Sequence, residues 1–360
     1  MQTEVKYYII RLNRNIVIGV MIIIYFYFLL DVVLHTHSSI NQPFPGFLLL
    51  RNNLVPVVYL PKWEGFRRGI KFKDIVLSVN GKPVSKSREI RELVRKAGTG
   101  TPLTYTVQRG KQQLDLTIPV SIFKLSDYLT ISLLWILLGT SFYLVGLSVF
   151  YLKPKTLASH ALMFQGTMGG LSMIAVPGYV IDNSNLYPLI FLTFNGPSVL
   201  LLSLYFPVEL KFRKPIIALI FATTIPLIVF YIYSVPMVSA FLIVDKIFFA
   251  DLILTFGLGA FLMSRSMIIS QDPAVKQKAK IVVYAVALIT VLGGLGLFAS
   301  LVLKILNFFW LFILFAGFPF SVAYAIVKHN LFDIDTLIRR TSGYFIASIS
   351  VIVVSFLMIS

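Results

Sequence analysis

Apolar positions fall along this 360-residue chain in two rhythms, long unbroken runs and short alternations. About 20 apolar residues at 1.5 Å each cross a bilayer core as a helix. The first such run is Ile16–Leu34, and a long polar stretch follows it. From Tyr128 onward the runs return almost without pause, predicting further spans near 128–152, 158–180, 186–207, 215–234, 247–264, 281–303 and 307–327. A ninth begins near Tyr344 and is still running at Ser360, so the natural chain is expected to continue. The expected fold is an α-helical polytopic membrane protein with about nine spans here, and ten in the full length, carrying a small α+β domain outside the membrane.

The polar stretch has the other rhythm. Ile75, Leu77 and Val79 alternate with polar neighbours and run into Asn80-Gly81, a strand followed by a tight turn. Ser87 is placed to cap a helix whose Ile90, Leu93, Val94 and Ala97 fall on one face, and Gly98 supplies its stop. Leu103, Tyr105 and Val107 form a second alternating strand. Arg109-Gly110-Lys111 turns the chain into a third, with Leu114, Leu116, Ile118 and Val120 on one face.

Composition supports the membrane reading: 57% of residues are hydrophobic, 13% are charged, and the mean hydropathy is +0.85. Soluble domains carry about a quarter charged residues. The absence of cysteine excludes disulfides, thiolate metal sites and cysteine nucleophiles in these residues. The net charge of +17 matters through its placement. One set of short segments holds Lys6, Arg11, Arg14, Lys153, Lys155, Lys211, Arg213, Lys214, Arg265, Lys276, Lys278, Lys280, Lys328, Arg339 and Arg340; the opposite short loops hold Lys246 and Lys304. The positive-inside rule then puts the N-terminus in the cytoplasm and the polar domain outside. The run Ile16–Leu34 is too long, and His35-Thr36-His37 too poor a cleavage site, for a removed signal peptide. The expected organisation is a cytoplasmic N-terminus and anchor over 1–34, an extracellular domain over 35–127, a bundle over 128–327, a cytoplasmic loop over 328–343 and a further helix starting at 344.

The stretch Gly65-Phe66-Arg67-Arg68-Gly69-Ile70-Lys71-Phe72-Lys73-Asp74-Ile75-Val76-Leu77-Ser78-Val79-Asn80-Gly81-Lys82-Pro83-Val84, with its flanking elements, resembles a bacterial PDZ domain. The family's usual Gly-Asp before the strand is Lys73-Asp74 here. The resemblance implies binding of an extended peptide end by strand addition, with backbone N–H groups holding the terminal carboxylate. Pro45-Gly46-Phe47-Leu48-Leu49 stands where that loop and strand belong, which makes Gly46, Phe47 and Leu48 candidate ligand-binding residues. A PDZ-shaped spacer with a closed groove is the alternative. The domain is basic, and membrane lipid headgroups or plain solvation account for that better than nucleic acid, since aromatic interleaving is lacking.

Within the predicted bundle no catalytic or metal constellation stands out. His35, His37, His160 and His329 are scattered, and there is no His-Glu-x-x-His or Gly-x-Ser-x-Gly. Asn195-Gly196-Pro197 interrupts one span, Pro226 and Pro319 kink two others, and Gly293, Gly294 and Gly296 permit close helix approach. Asp245, Lys246 and Asp251 are ionisable groups at or near membrane depth, so they join the candidate ligand-binding residues, with a structural Asp–Lys pair as the alternative.

The segment Pro319–Thr341 leaves a span and becomes amphipathic, with Leu331, Ile334, Leu337 and Ile338 on one helical face and Arg339 and Arg340 placed for lipid phosphates. It resembles the loop before the last two spans of polytopic bacterial sensor histidine kinases. The layout of anchor, external PDZ-like domain and bundle is similar to the ComP-like kinases of quorum sensing and competence. That resemblance implies a two-component receptor for an extracellular peptide pheromone, lipid-modified or not. It further implies a homodimer, a cognate response regulator, and ATP and Mg bound by a kinase domain missing from these residues. Phe332, Asp333, Asp335, Arg339 and Arg340 would then transmit the signal. No cofactor is expected in this segment itself. A PDZ-bearing intramembrane protease or related enzyme, a transporter, and a sensor with a different output domain are the competing readings.

Overall fold

The computed structural model describes residues 14–183 and 186–301, with the short helical pieces 317–318 and 321–322. The chain starts with helix α1 (Arg14–His37), about 36 Å long at 1.5 Å per residue. It is almost wholly apolar, and only 6% of its most apolar window is covered by the rest of the protein. Lipid is the medium that suits such a surface. Its inner face docks on α4 (Leu125–Leu152). There the Tyr25 and Thr140 hydroxyls meet at 2.9 Å, and Tyr143 Oη donates to the Met21 carbonyl at 2.5 Å.

Between α1 and α4 lies a small α+β domain. Strand β1 (Pro43–Phe44) pairs with β6 (Ser121–Ile122), so the chain leaves α1 and returns to α4 side by side. Asn41 N–H to Phe123 O and Phe123 N–H to Gln42 O extend that staple. The short helix α2 (Glu64–Arg67) precedes an antiparallel sheet in the order β3-β2-β4-β5, formed by β3 (Lys82–Pro83), β2 (Ile75–Val79), β4 (Pro102–Arg109) and β5 (Gln112–Pro119). Helix α3 (Ser87–Ala97) packs Ile90 and Val94 beneath it. Asn80 and Gly81, both at positive φ, make the β2–β3 turn that the Asn-Gly pair predicts. Leu103, Tyr105 and Val107 are buried on one face as expected.

Two local expectations differ. In β2 Val79 is buried as expected, but Val76 is buried in place of Ile75 and Leu77, because the register shifts between Val76 and Ser78 and a bulge transfers the inward face. Ser87 is the first helical residue rather than the cap. Lys86 occupies that position, and Ser85 instead binds the Glu89 carboxylate through its N–H (2.9 Å) and its hydroxyl (2.8 Å). The backbone N–H of Ser85 holds the Glu89 carboxyl below its ordinary value.

The bundle continues with α5 (Leu157–Pro177), a π-type turn (Gly178–Asp182), α6 (Tyr187–Ser203), α7 (Arg213–Ser234), α8 (Val238–Ile269) and α9 (Pro273–Leu301). Among the described residues, four helices are long and apolar enough to cross a membrane: α1, α4, α7 and α8. The predicted spans at 307–327 and from Tyr344 fall largely or wholly outside the described residues, as does Pro319.

The tightest packing is α4 on α5, and glycines make it. A Cβ on Gly139 would lie 2.5 Å from Gly170 O, and one on Gly166 2.6 Å from Phe142 O. Backbone therefore touches backbone, as small-residue membrane interfaces require. The Gly166-x-x-x-Gly170 spacing was the available signal. Asn195-Gly196-Pro197 does not break α6. The helix runs through Pro197, Ser198 Oγ donates to Asn195 O at 2.6 Å, and Gly196 gives α8 room for Thr255.

Candidate functional site

The candidate site lies where the small domain meets the bundle. It begins with two glycines. Gly46, at φ +84°, accepts a hydrogen bond from Gly65 N–H at 3.0 Å, and a Cβ on Gly65 would sit 2.6 Å from Gly46 O. Neither position has space for a side chain, so the Pro45–Leu48 loop is clamped to α2. Beyond it the side chains alternate. Phe47 and Leu49 enter the domain's own core, where Phe47 meets Tyr105 edge-on at 5.2 Å. Leu48 and Leu50 point the other way, into an apolar cluster that also holds Trp63, Phe123 and the α4 residues Ile131 and Trp135. Burial pushes the Tyr105 hydroxyl well above its ordinary value.

Opposite this segment stands α3, with Arg91 and Arg95 one turn apart. A narrow cleft lies between them, lined in part by Pro45, Phe47, Arg91, Arg95 and Ile181. Ile181 comes from the π-type turn between α5 and α6, which closes one end of the cleft. Asn183 Nδ2 donates to Leu49 O at 2.5 Å, Arg51 Nε to Asn183 O at 2.6 Å, and Arg91 Nη1 to Ile181 O at 3.3 Å. Burial lowers the Arg91 guanidinium from its ordinary value, and the Asp182 carboxylate opposes that shift.

A second anchor fixes the domain's scaffold. Lys73 stands at φ +68°, the left-handed conformation that glycine ordinarily supplies, so the Lys73-Asp74 departure keeps the backbone turn. Asp74 is fully buried and accepts from Lys71 N–H (2.8 Å), Arg109 Nε (2.8 Å) and Arg109 Nη2 (2.7 Å). The hydrogen bond to Asp74 holds Arg109 above its ordinary value.

A PDZ domain is present. The PDZ family model matches residues 58–120, under half of the chain, and no curated protein matches the sequence. The matched residues hold α2, the four-stranded sheet and the groove helix α3, while the clamped Gly46 loop lies just before them.

The candidate residues do not form one site. Gly46, Phe47 and Leu48 lie at the PDZ cleft, but through backbone, since Phe47 and Leu48 are both buried. Asp245 accepts from Tyr231 Oη at 2.9 Å and lies within the electrostatic reach of Lys73 from the PDZ domain. Lys246 is exposed on the next helical position. Asp251 sits about 9 Å further along α8 at 1.5 Å per residue. Its Oδ2 is buried without a hydrogen-bond partner among the described residues. The π-type turn stands between the two groups: Asn183 and Ile181 bind Leu49, Arg51 and Arg91, while Tyr179 and Val180 belong to the apolar cluster that holds Tyr231. Phe332, Asp333, Asp335, Arg339 and Arg340 lie outside the described residues. Arg51, Arg91, Arg95 and Asn183 were not anticipated. Arg91 and Arg95 at i, i+4 were legible in the sequence, whereas their meeting with Asn183 depends on how domain and bundle dock.

Proposed function

We propose that this chain is the membrane sensor region of a receptor that detects an extracellular peptide and controls a cytoplasmic histidine kinase. The observation that carries the reading is the PDZ cleft built directly against the α5–α6 turn, so that a peptide in the cleft touches both the domain and the bundle. Arg91 and Arg95 beside the Gly46 loop suit a peptide carboxylate, and the apolar walls of the cleft suit small aliphatic side chains. The uneven placement of Lys and Arg supports a cytoplasmic N-terminus, an extracellular PDZ domain and about nine spans in a bacterial cell membrane. In agreement with that placement, the PDZ domain meets the α5–α6 turn. At the opposite end of the bundle, Arg14 of α1 lies over the Tyr151 ring of α4 at 5.0 Å.

In this mechanism the ligand shifts a helix-bundle equilibrium. A difference of about 1–3 kcal/mol in its affinity for the two states suffices. The partners are a second copy of the chain and a response regulator. ATP and Mg belong to the kinase domain. The test is histidine autophosphorylation of the full-length gene product in membrane vesicles, with and without the peptide fraction of spent culture medium. Peptide-dependent phosphorylation that is lost in Arg91→Ala/Arg95→Ala supports the proposal. Phosphorylation indifferent to peptide, or none at all, rejects it.

A further inference from the structure

One end of the PDZ cleft is already engaged by the α5–α6 turn. Leu50 N–H is used in the local turn to Leu54 O at 2.8 Å and Arg51 O accepts from Ser87 N–H at 3.3 Å, while Leu49 O faces the α5–α6 turn. Asn183 engages this segment twice: its side-chain amide donates to Leu49 O, and its own carbonyl accepts from the Arg51 side chain. Ile181 fills part of the cleft wall, and its carbonyl binds Arg91 on the groove helix. The turn is built to hold this pose. Asn183, at φ +59°, closes it with an N–H to Gly178 O bond of 3.0 Å, and Ile181 and Asn183 are both buried.

We infer that the α5–α6 turn is an internal ligand of the PDZ domain, which an external peptide must displace from Leu49, Arg51 and Arg91. The inference rests on the peptide-receptor reading above for its external ligand, but the docking of the turn stands on contacts in this chain alone. A tethered segment competes at an effective concentration in the millimolar range, so weak contacts hold it and a modest ligand removes it. Because the turn continues α5 directly from Pro177 into Gly178, displacement is felt by that bundle helix. Binding outside is thereby converted into movement inside.

The chain has no cysteine, which permits a clean probe of the docked turn. In the full chain reconstituted in lipid, Ile181→Cys reports exposure through its rate of labelling by a membrane-impermeant maleimide. Asn183→Gly keeps the left-handed backbone while removing the bond to Leu49, and Arg51→Ala removes the other. Each should raise the labelling rate about fivefold, the equilibrium change expected for one lost hydrogen bond of about 1 kcal/mol. Unchanged labelling in both variants overturns the inference. The second arm uses a fluorescein-labelled pentapeptide Tyr-Val-Ile-Asp-Asn, copied from residues 179–183, with a free carboxylate. It should bind Asn183→Gly about fivefold tighter than wild type and should itself raise labelling of Ile181→Cys. Binding that is equal in the two proteins overturns the competition. Raised labelling in both variants, with no peptide binding to either protein, supports the docked turn and counts against the peptide-receptor reading instead.

Discussion

Replacing Asp74 by alanine isolates the interaction on which the PDZ scaffold turns. Its carboxylate is fully buried and receives three N–H donors within 2.8 Å, two of them from Arg109. Removing one member of a buried ion pair costs about 3–5 kcal/mol, because the survivor loses its partner without regaining water. The Arg109 side chain is 30% exposed and recovers some hydration, so the low end applies, about 3 kcal/mol. At about 1–1.5 kcal/mol per molar urea for a domain this small, the unfolding midpoint should fall by about 2–3 M. Pulse proteolysis across a urea series in mild detergent reads that midpoint from cleavage inside residues 58–120. The companion Asp74→Leu/Arg109→Met removes both charges and should be milder than Asp74→Ala alone. A midpoint that shifts by less than about 0.5 M for Asp74→Ala, or a double variant as damaged as the sum of its single changes, would refute the argument that an orphaned charge sets the cost.

Three further outcomes follow from the same reasoning. Gly166→Val should cost about 1–3 kcal/mol by forcing α4 and α5 apart, and should lower the thermal midpoint of the detergent-solubilised bundle, whereas Gly257→Val, where a Cβ meets nothing within 4 Å, should not. Glu89 has a folded-state pKa below its ordinary value of 4.5, so its contribution is present above that value and is lost as pH falls through the lowered one. Glu89→Gln should therefore flatten the acid limb of PDZ stability below pH 4.5 and leave the slope at neutral pH unchanged, as an acid titration followed by circular dichroism would report. Residues 40–124 expressed alone should melt cooperatively on the Phe47–Tyr105 core yet self-associate in light scattering, because Leu48, Leu50, Leu54, Val58 and Trp63 lose the bundle that covers them.

What could be read in advance divides along a physical line. Period-two alternation and an Asn-Gly turn are local, and they located β4 and the β2–β3 hairpin from neighbouring letters alone. The bulge in β2 is set by pairing with β4 and leaves no mark in Ile75–Val79, so the inward face was assigned to Ile75 and Leu77. The apolar runs marked where helices occur. Apolarity is nearly uniform around such helices, however, and their packing partners are chosen by glycines such as Gly139 and Gly166 that only the paired surfaces explain. At the candidate site, Gly46 was legible through the PDZ resemblance, which puts the loop and strand at Pro45–Leu49. Asn183 was not, because its meaning comes from Leu49, more than a hundred positions away.

The pairing of β1 with β6 has a mechanical consequence. A domain hung from one strand of chain swivels freely and loses any twist applied to it. Here two rigid legs, α1 and α4, rise into the domain side by side and are stapled at Pro43–Ile122 and Phe44–Ser121. Tilting the domain must then push one leg while pulling the other, like a rocker arm on a paired pushrod. The seam between α1 and α4, tied by the Tyr25–Thr140 and Tyr143–Met21 hydrogen bonds, is where that stroke would be felt as axial strain.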